Sequence, residues 1–250
     1  MENIITVNHL SVVLGGERIL DEVSFSVKQG EIFVILGGSG CGKSTLMKTM
    51  IGLLKPFSGE VLIDGENIHT DNEDKRLLIL KKFGVMYQHG ALFGSLNLLE
   101  NVALPLKEFT NLQSEAISLI ALMKLKLVGL DHFANHMPSE ISGGMKKRAA
   151  IARAMSLDPE ILFLDEPSAG LDPITSADLD TLILSLSKNF GITFVVVTHE
   201  LPSIYTIADR VIMLDKRTKS IIATGSPEDL KENSPNEWVR QFFNRKGSKF

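Results

Sequence analysis

The sequence predicts an α/β fold built on a largely parallel sheet, with antiparallel strands ahead of it and a helical insertion within it. Three observations carry the prediction. The runs EIFVILG (31–37), KKFGVMYQ (81–88), EILFLDE (160–166), ITFVVVTHE (192–200) and RVIMLD (210–215) are apolar at successive positions, as strands are when helices cover both faces of a parallel sheet. They alternate with helical patterns, the order of an α/β chain. Residues 89 to about 158 interrupt the alternation without a strand pattern of their own.

The elements follow in order. Residues 3 to 36 alternate and pause like antiparallel strands, and Gly15-Gly16 inside LSVVLGGERIL is a hairpin signal because both central positions accept positive φ. GGSGCGKST (37–45) then joins the strand EIFVIL to the helical LMKTMIGLL. Gly37, Gly42, Lys43 and Ser44 fit Gly-x-x-x-x-Gly-Lys-Ser, a loop whose consecutive N–H groups turn inward on a phosphate. The plainer reading is a turn that only needs glycine's backbone freedom. The insertion is helical in SEAISLIALMKLKLVGL and GGMKKRAAIARAMSL, and the chain ends in SPNEWVRQFFNRKGSKF, a short amphipathic helix with a basic tail. There Trp238 with Phe242, and Val239 with Phe243, recur at i, i+4 and make an apolar stripe, expected to pack on its own domain, with a second subunit as the alternative.

Composition narrows the function classes. At 250 residues the chain is long enough for a sizeable core. A net charge of -4 and a pI near 5.9 argue against nucleic acid as a partner. The single cysteine, Cys41, closes no intrachain disulfide, which suits a cytosolic setting. MENIITVNHL lacks the basic and apolar regions of a signal peptide, and no apolar run approaches about 18 residues, so neither export nor a membrane span is expected. A mean hydropathy of +0.13 with 44% apolar residues is compatible with a large interface.

The candidate chemistry lies where apolar strands end. Asp165 and Glu166 close ILFLDE, and ligands of open α/β sheets bind beyond the carboxyl ends of strands. Asp165 is expected to hold Mg²⁺ with Ser44, and Glu166 to polarise an attacking water; capping of the next helix is the alternative for an acid so placed. His199 is positioned to reach a γ-phosphate from the same edge, although a lone histidine is more often a hydrogen-bonded structural residue. Gln88, also after a strand, offers an amide to the water or to a metal-bound water. In SGGMKKRAAIARAM, Ser142 is a good N-cap, and Gly143 and Gly144 leave N–H groups open at a helix start that favours anions. Two anion sites of different design suggest a nucleotide held between two copies of the protein.

With those residues in order, the chain resembles the ATP-binding cassette (ABC) ATPases. Gly37, Gly38, Ser39, Gly40, Cys41, Gly42, Lys43, Ser44 and Thr45 fall in the Walker A loop, Gln88 in the Q-loop, and Ser142, Gly143 and Gly144 in the signature ISGGM. Asp165 and Glu166 fall in Walker B, SAGLD (168–172) in the D-loop, and His199 at the switch histidine. The resemblance covers residues 1 to about 230 and implies a P-loop NTPase fold: an ABC ATPase core with an antiparallel β subdomain and an inserted α-helical subdomain, followed by a C-terminal helix and tail over 231–250. It implies ATP and Mg²⁺ as cofactors, catalytic roles for Lys43, Gln88, Glu166 and His199, metal contacts from Ser44, Gln88 and Asp165, and a nucleotide-sandwich homodimer. Within the family, YQHGALFGSLNLLENVALPL and a signature ending in Met145 before Lys146, Lys147 and Arg148 resemble the ATPases of Mla phospholipid-trafficking (MCE) transporters, where the usual cassette has glutamine at Met145. That likeness implies work at the cytoplasmic face of an inner membrane. The implied partners are an MlaE-like permease docking near 88–106, an MCE-domain protein and a small STAS-type accessory protein. The alternative is the ATPase of a small-solute importer, such as one for amino acids. One departure stands out: the aromatic that usually stacks on adenine is replaced by Leu14.

Overall fold

A computed structural model describes residues 2–244. Its two sheets share one molecule. The first is antiparallel, ordered β2 (Glu17–Lys28), β1 (Asn3–Leu14), β4 (Ser58–Ile63) and β5 (Glu66–Asn67). The second is ordered β10 (Ser220–Gly225), β9 (Arg210–Asp215), β3 (Ile32–Gly37), β8 (Thr193–Val197), β7 (Ile161–Asp165) and β6 (Phe83–Met86), parallel except for the edge strand β10. Gly15 and Gly16 turn the β1–β2 hairpin at φ of 57° and 81°, the positive values that the pair was expected to supply.

Three corrections to the expected strands have physical causes. The antiparallel sheet is not confined to residues 3–36, because β4 and β5 return to it after the first helix. Both are short and half exposed, so their apolar signal is weak. The edge strand β10 is only partly buried and lacks the continuous apolar run of its neighbours. Strand β8 stops at Val197, so His199 stands beyond the ladder rather than ending it.

The parallel strands divide the interior in two. Along β3, Ile32, Val34 and Leu36 face one core while Phe33 and Ile35 face the other, the period-2 alternation of a sheet buried on both sides. Phe33 and Ile35 pack with α1 (Lys43–Met50) under the antiparallel sheet. The opposite face carries α3 (Leu98–Phe109), α4 (Ser114–Leu127), α5 (Gly143–Ala154), α6 (Pro173–Phe190) and α7 (Leu201–Ile207). Helix α2 (Glu73–Leu80) precedes β6, and between β6 and β7 the chain is helical or in turns. After α8 (Pro227–Glu232), the last helix, α9 (Glu237–Phe243), buries Val239 and Phe243 in this second core, with Trp238 and Phe242 against it. The stripe therefore packs on its own domain; residues 245–250 of the expected basic tail lie outside the described residues.

Arg210 joins the sheets. Its guanidinium donates to both carboxylate oxygens of Glu31 at 2.7 and 2.9 Å and to the Ser26 carbonyl at 2.7 Å, and it lies 4.9 Å from the centre of the Phe33 ring. A forked, partly buried pair of this kind is stronger than an exposed one.

Candidate functional site

Register brings the candidate residues to one end of the parallel sheet. Leu164 stands opposite Met86 and Val196, and Asp165 opposite Val197, which itself faces Ile35. The continuations of β3, β6, β7 and β8 thus carry the Gly-rich loop, Gln88, Glu166 and His199 past the same edge.

The loop after β3 is built by exclusion. Gly37, Gly40 and Gly42 have φ of 153°, 72° and 101°, and a Cβ at Gly37 would lie 2.5 Å from both Cys41 Sγ and the Leu214 carbonyl oxygen. No side chain fits there. Cys41 is buried as the small residue filling that space, and burial pushes its thiol pKa up. Gly38, Ser39 and Gly40 leave the loop open to solvent on its outer side, with Ser44 exposed and Thr45 half-buried on the first turn of α1. Lys43 folds back over this loop, its ammonium donating to the carbonyls of Gly37 at 2.8 Å and Gly38 at 3.2 Å.

Glu166 and His199 form a pair. His199 Nδ1 lies 2.8 Å from Glu166 Oε1, so with the carboxylate ionised the Nδ1–H donates. The other oxygen, Oε2, is buried with no hydrogen-bond partner among the described residues, as is Asp165 Oδ1. Burial raises the Asp165 pKa and Glu166 beside it adds to the rise, while Lys48, Lys43 and Lys147 oppose it. A buried carboxylate oxygen without a hydrogen-bond partner is the kind of donor that a small hard cation takes. Among the described residues no cluster of three or more His, Cys, Asp or Glu is arranged to hold a metal. The Gln88 side chain is exposed beyond β6, and its backbone carbonyl accepts from Lys147 Nζ.

Ser142 caps α5, its Oγ accepting from the Met145 N–H at 3.2 Å. Ser142 and Gly143 are exposed, whereas Gly144 is packed so tightly that a Cβ would lie 2.3 Å from Thr175 Cγ2. Asp172 caps α6 through the N–H groups of Ile174 and Thr175 and holds the Thr175 hydroxyl. The start of α5 thus packs on the first turn of α6, the turn that Asp172 caps. Among the described residues no hydrogen bond or ion pair joins them to 37–45. Leu14 is 41% exposed at the end of β1.

Two residues make contacts that the sequence did not foretell. Lys147 Nζ donates to the Glu166 carbonyl at 3.2 Å as well as to Gln88, and Arg153 donates to the carbonyls of Ala91 at 2.7 Å and Gly90 at 2.8 Å. In the sequence Lys146, Lys147 and Arg148 stand out only as the basic residues that follow Met145. The available signal was the spacing of Gly144, Lys147 and Ile151, which puts Lys147 on the buried face of α5.

The sequence pattern of the ABC transporter family matches residues 20–169, more than half of the chain. The chain belongs to the ABC transporter family. This cassette is 42% identical over 242 residues to the intermembrane phospholipid transport system ATP-binding protein MlaF of Escherichia coli (strain K12), an overlap of 96% of this chain and 88% of that protein. It is also 42% identical over 240 residues to the "Probable ribonucleotide transport ATP-binding protein mkl" of Mycobacterium tuberculosis (strain ATCC 25618 / H37Rv), covering 96% of this chain and 66% of that one. Among solved structures, the ATP-binding cassette MJ0796, dimeric and bound to ADP and Pi, superposes with a TM-score of 0.79 at 33% identity over 89% of this chain and 98% of that one. CbiO1 of Clostridium perfringens, part of the ABC transporter complex cbiONQ, gives 0.85 at 29% identity over 98% and 96%. The ABC ATPase core expected from the sequence is therefore the fold observed, and the cassette is an ATP-binding ATPase.

Proposed function

We propose that this cassette is the ATP-hydrolysing subunit of a transporter that moves phospholipids to maintain outer-membrane lipid asymmetry, working peripherally on the cytoplasmic face of the inner membrane. The observation that carries the reading is 42% identity across 96% of the chain to a protein named for intermembrane phospholipid transport. The mycobacterial relative is equally identical and is named for ribonucleotide transport, but this chain spans less of it, 66% against 88%. Among the described residues no helix is long and apolar enough to cross a membrane, so the path for lipid belongs to a partner.

The geometry of the site supports a division of labour. The N–H groups of 37–45 and the Lys43 ammonium cradle the phosphates of ATP, with Lys43 exchanging two loop carbonyls for phosphate oxygens. Ser44, Asp165 and Gln88 would hold Mg²⁺, which would supply charge neutralisation for phosphoryl transfer. Glu166 takes the proton of the attacking water through the oxygen that has no partner, and His199 fixes the other oxygen. Ser142, Gly143 and Gly144 close on the nucleotide of a second copy, making a sandwich homodimer. The ABC ATPase domain is assigned to residues 1–230, with the helical insertion at about 89–158, and the C-terminal amphipathic helix and basic tail to 231–250. An MlaE-like permease docks near 88–106, where Phe93 is exposed just beyond Gln88; an MCE-domain protein and a small STAS-type protein complete the complex.

Purification of the native chain from detergent-solubilised membranes, with mass spectrometry of what accompanies it, tests this reading. A permease together with an MCE-domain protein is the expected result. A solute permease with a binding protein, or recovery without any permease, would overturn it.

A further inference from the structure

We propose that Lys147 is a positioning residue that holds the backbone of Glu166 and couples it to Gln88. The inference rests on the reading of Glu166 as the base that activates water. Lys147 is 7% exposed, and its ammonium, drawn into the interior from α5, contacts backbone carbonyls of two different segments, those of Gln88 and Glu166. A buried ammonium needs acceptors, yet two carbonyls from separate strand ends are a specific choice.

Glu166 gives that choice a purpose. Its φ is 47°, a left-handed conformation that is costly for a residue with a Cβ and persists only when its surroundings over-determine it. The constraints can be named. The Glu166 N–H donates to the Val197 carbonyl at 2.8 Å, the Glu166 carbonyl accepts from Lys147 at 3.2 Å, and Oε1 meets His199 Nδ1 at 2.8 Å. Removing the Lys147 contact frees the peptide that aims the carboxylate.

The same helix grips a second strained residue. Ala91, with φ of 49°, has its carbonyl held by Arg153, which also holds Gly90. Residues 88–91 are thus tied to α5 by two cations, and one of these cations continues to Glu166. A displacement of Gln88 must break or drag the Lys147 contact, and the movement reaches Glu166 through a single ammonium. The helix that carries Ser142–Gly144 therefore also sets the orientation of the base.

The test is steady-state ATP hydrolysis by the full-length chain, with ATP-driven self-association measured in parallel. Lys147→Met is expected to lower kcat about ten- to a hundredfold, the size of effect a slightly misplaced group produces, with KM for ATP and self-association little changed. Lys147→Arg, which keeps donors at the site, is expected to restore most of kcat. Should the Met variant not fold, Lys147→Gln against Lys147→Arg is read in the same way. Unchanged kcat in the Met or Gln variant would overturn the proposal. So would a loss shared equally by kcat, KM and self-association that arginine does not rescue, because that is the mark of a merely structural lysine. Glu166→Gln is the control on the underlying reading: wild-type turnover there removes the base, whereas abolished turnover with an unaffected Lys147→Met removes only this proposal.

Discussion

The carboxylates at the end of β7 show how far single residues could be anticipated. Asp165 and Glu166 could be singled out because an acid pair after a buried strand has few uses other than capping or ligand binding, and among the described residues one oxygen of each is buried without a hydrogen-bond partner. The contact between Glu166 and His199 was not legible, since 33 residues separate them and only the parallel register of β7 and β8 brings them together. Asp165 carries a testable cost. Its pKa is raised, so the folded chain holds this proton more tightly than the unfolded chain does, and the ionised group opposes folding. The penalty is complete above the raised value, fades as pH falls through it, and is gone below the ordinary 3.8. Asp165→Asn should therefore melt at a higher temperature than the native chain at pH 7 without nucleotide, with the gap closing toward pH 4, while losing ATPase activity. Thermal melts across that pH range check it, and an equal or lower melting temperature at pH 7 would contradict the cause given for the shift.

At the scale of elements, the buried strands were read correctly because β3, β7, β8 and β9 are apolar on both faces, whereas β4, β5 and β10 lie half exposed and carry too little pattern. Helix α3 shows a second limit. Half of the apolar segment 91–106 is core, with Leu98, Val102, Ala103 and Leu106 buried, but Phe93 remains 51% exposed. Asn101 decides this. Fully buried, it accepts from the Phe93 N–H at 2.8 Å and donates to the carbonyls of Phe93, Leu96 and Asn97 at 3.1, 2.9 and 3.0 Å, shaping the loop that presents Phe93. Asn101→Ala leaves buried backbone groups without partners, so a loss of about 2 kcal/mol is expected. Urea unfolding measures it, and a loss under about 0.5 kcal/mol would show that the loop holds its shape without this side chain.

For the whole molecule, sequence order says little about sheet order. β3 lies between β8 and β9, strands about 160 to 180 residues later, and the link from Arg210 to Glu31 and Phe33 joins pieces equally distant. Such pairings depend on the long-range closure of two cores and leave no local pattern. What the sequence suggests at this scale is two unlike anion sites, one at 37–45 and one at 142–144, and from them comes the central claim that ATP is held between two copies with Glu166 as the base. Light scattering of the full-length Glu166→Gln variant tests that claim most directly, with turnover followed in the same sample. The account predicts a 27.5 kDa monomer without nucleotide, a dimer of twice that mass with ATP and Mg²⁺, and hydrolysis close to zero. A chain that stays monomeric under saturating ATP, or that hydrolyses it at the native rate, would contradict it.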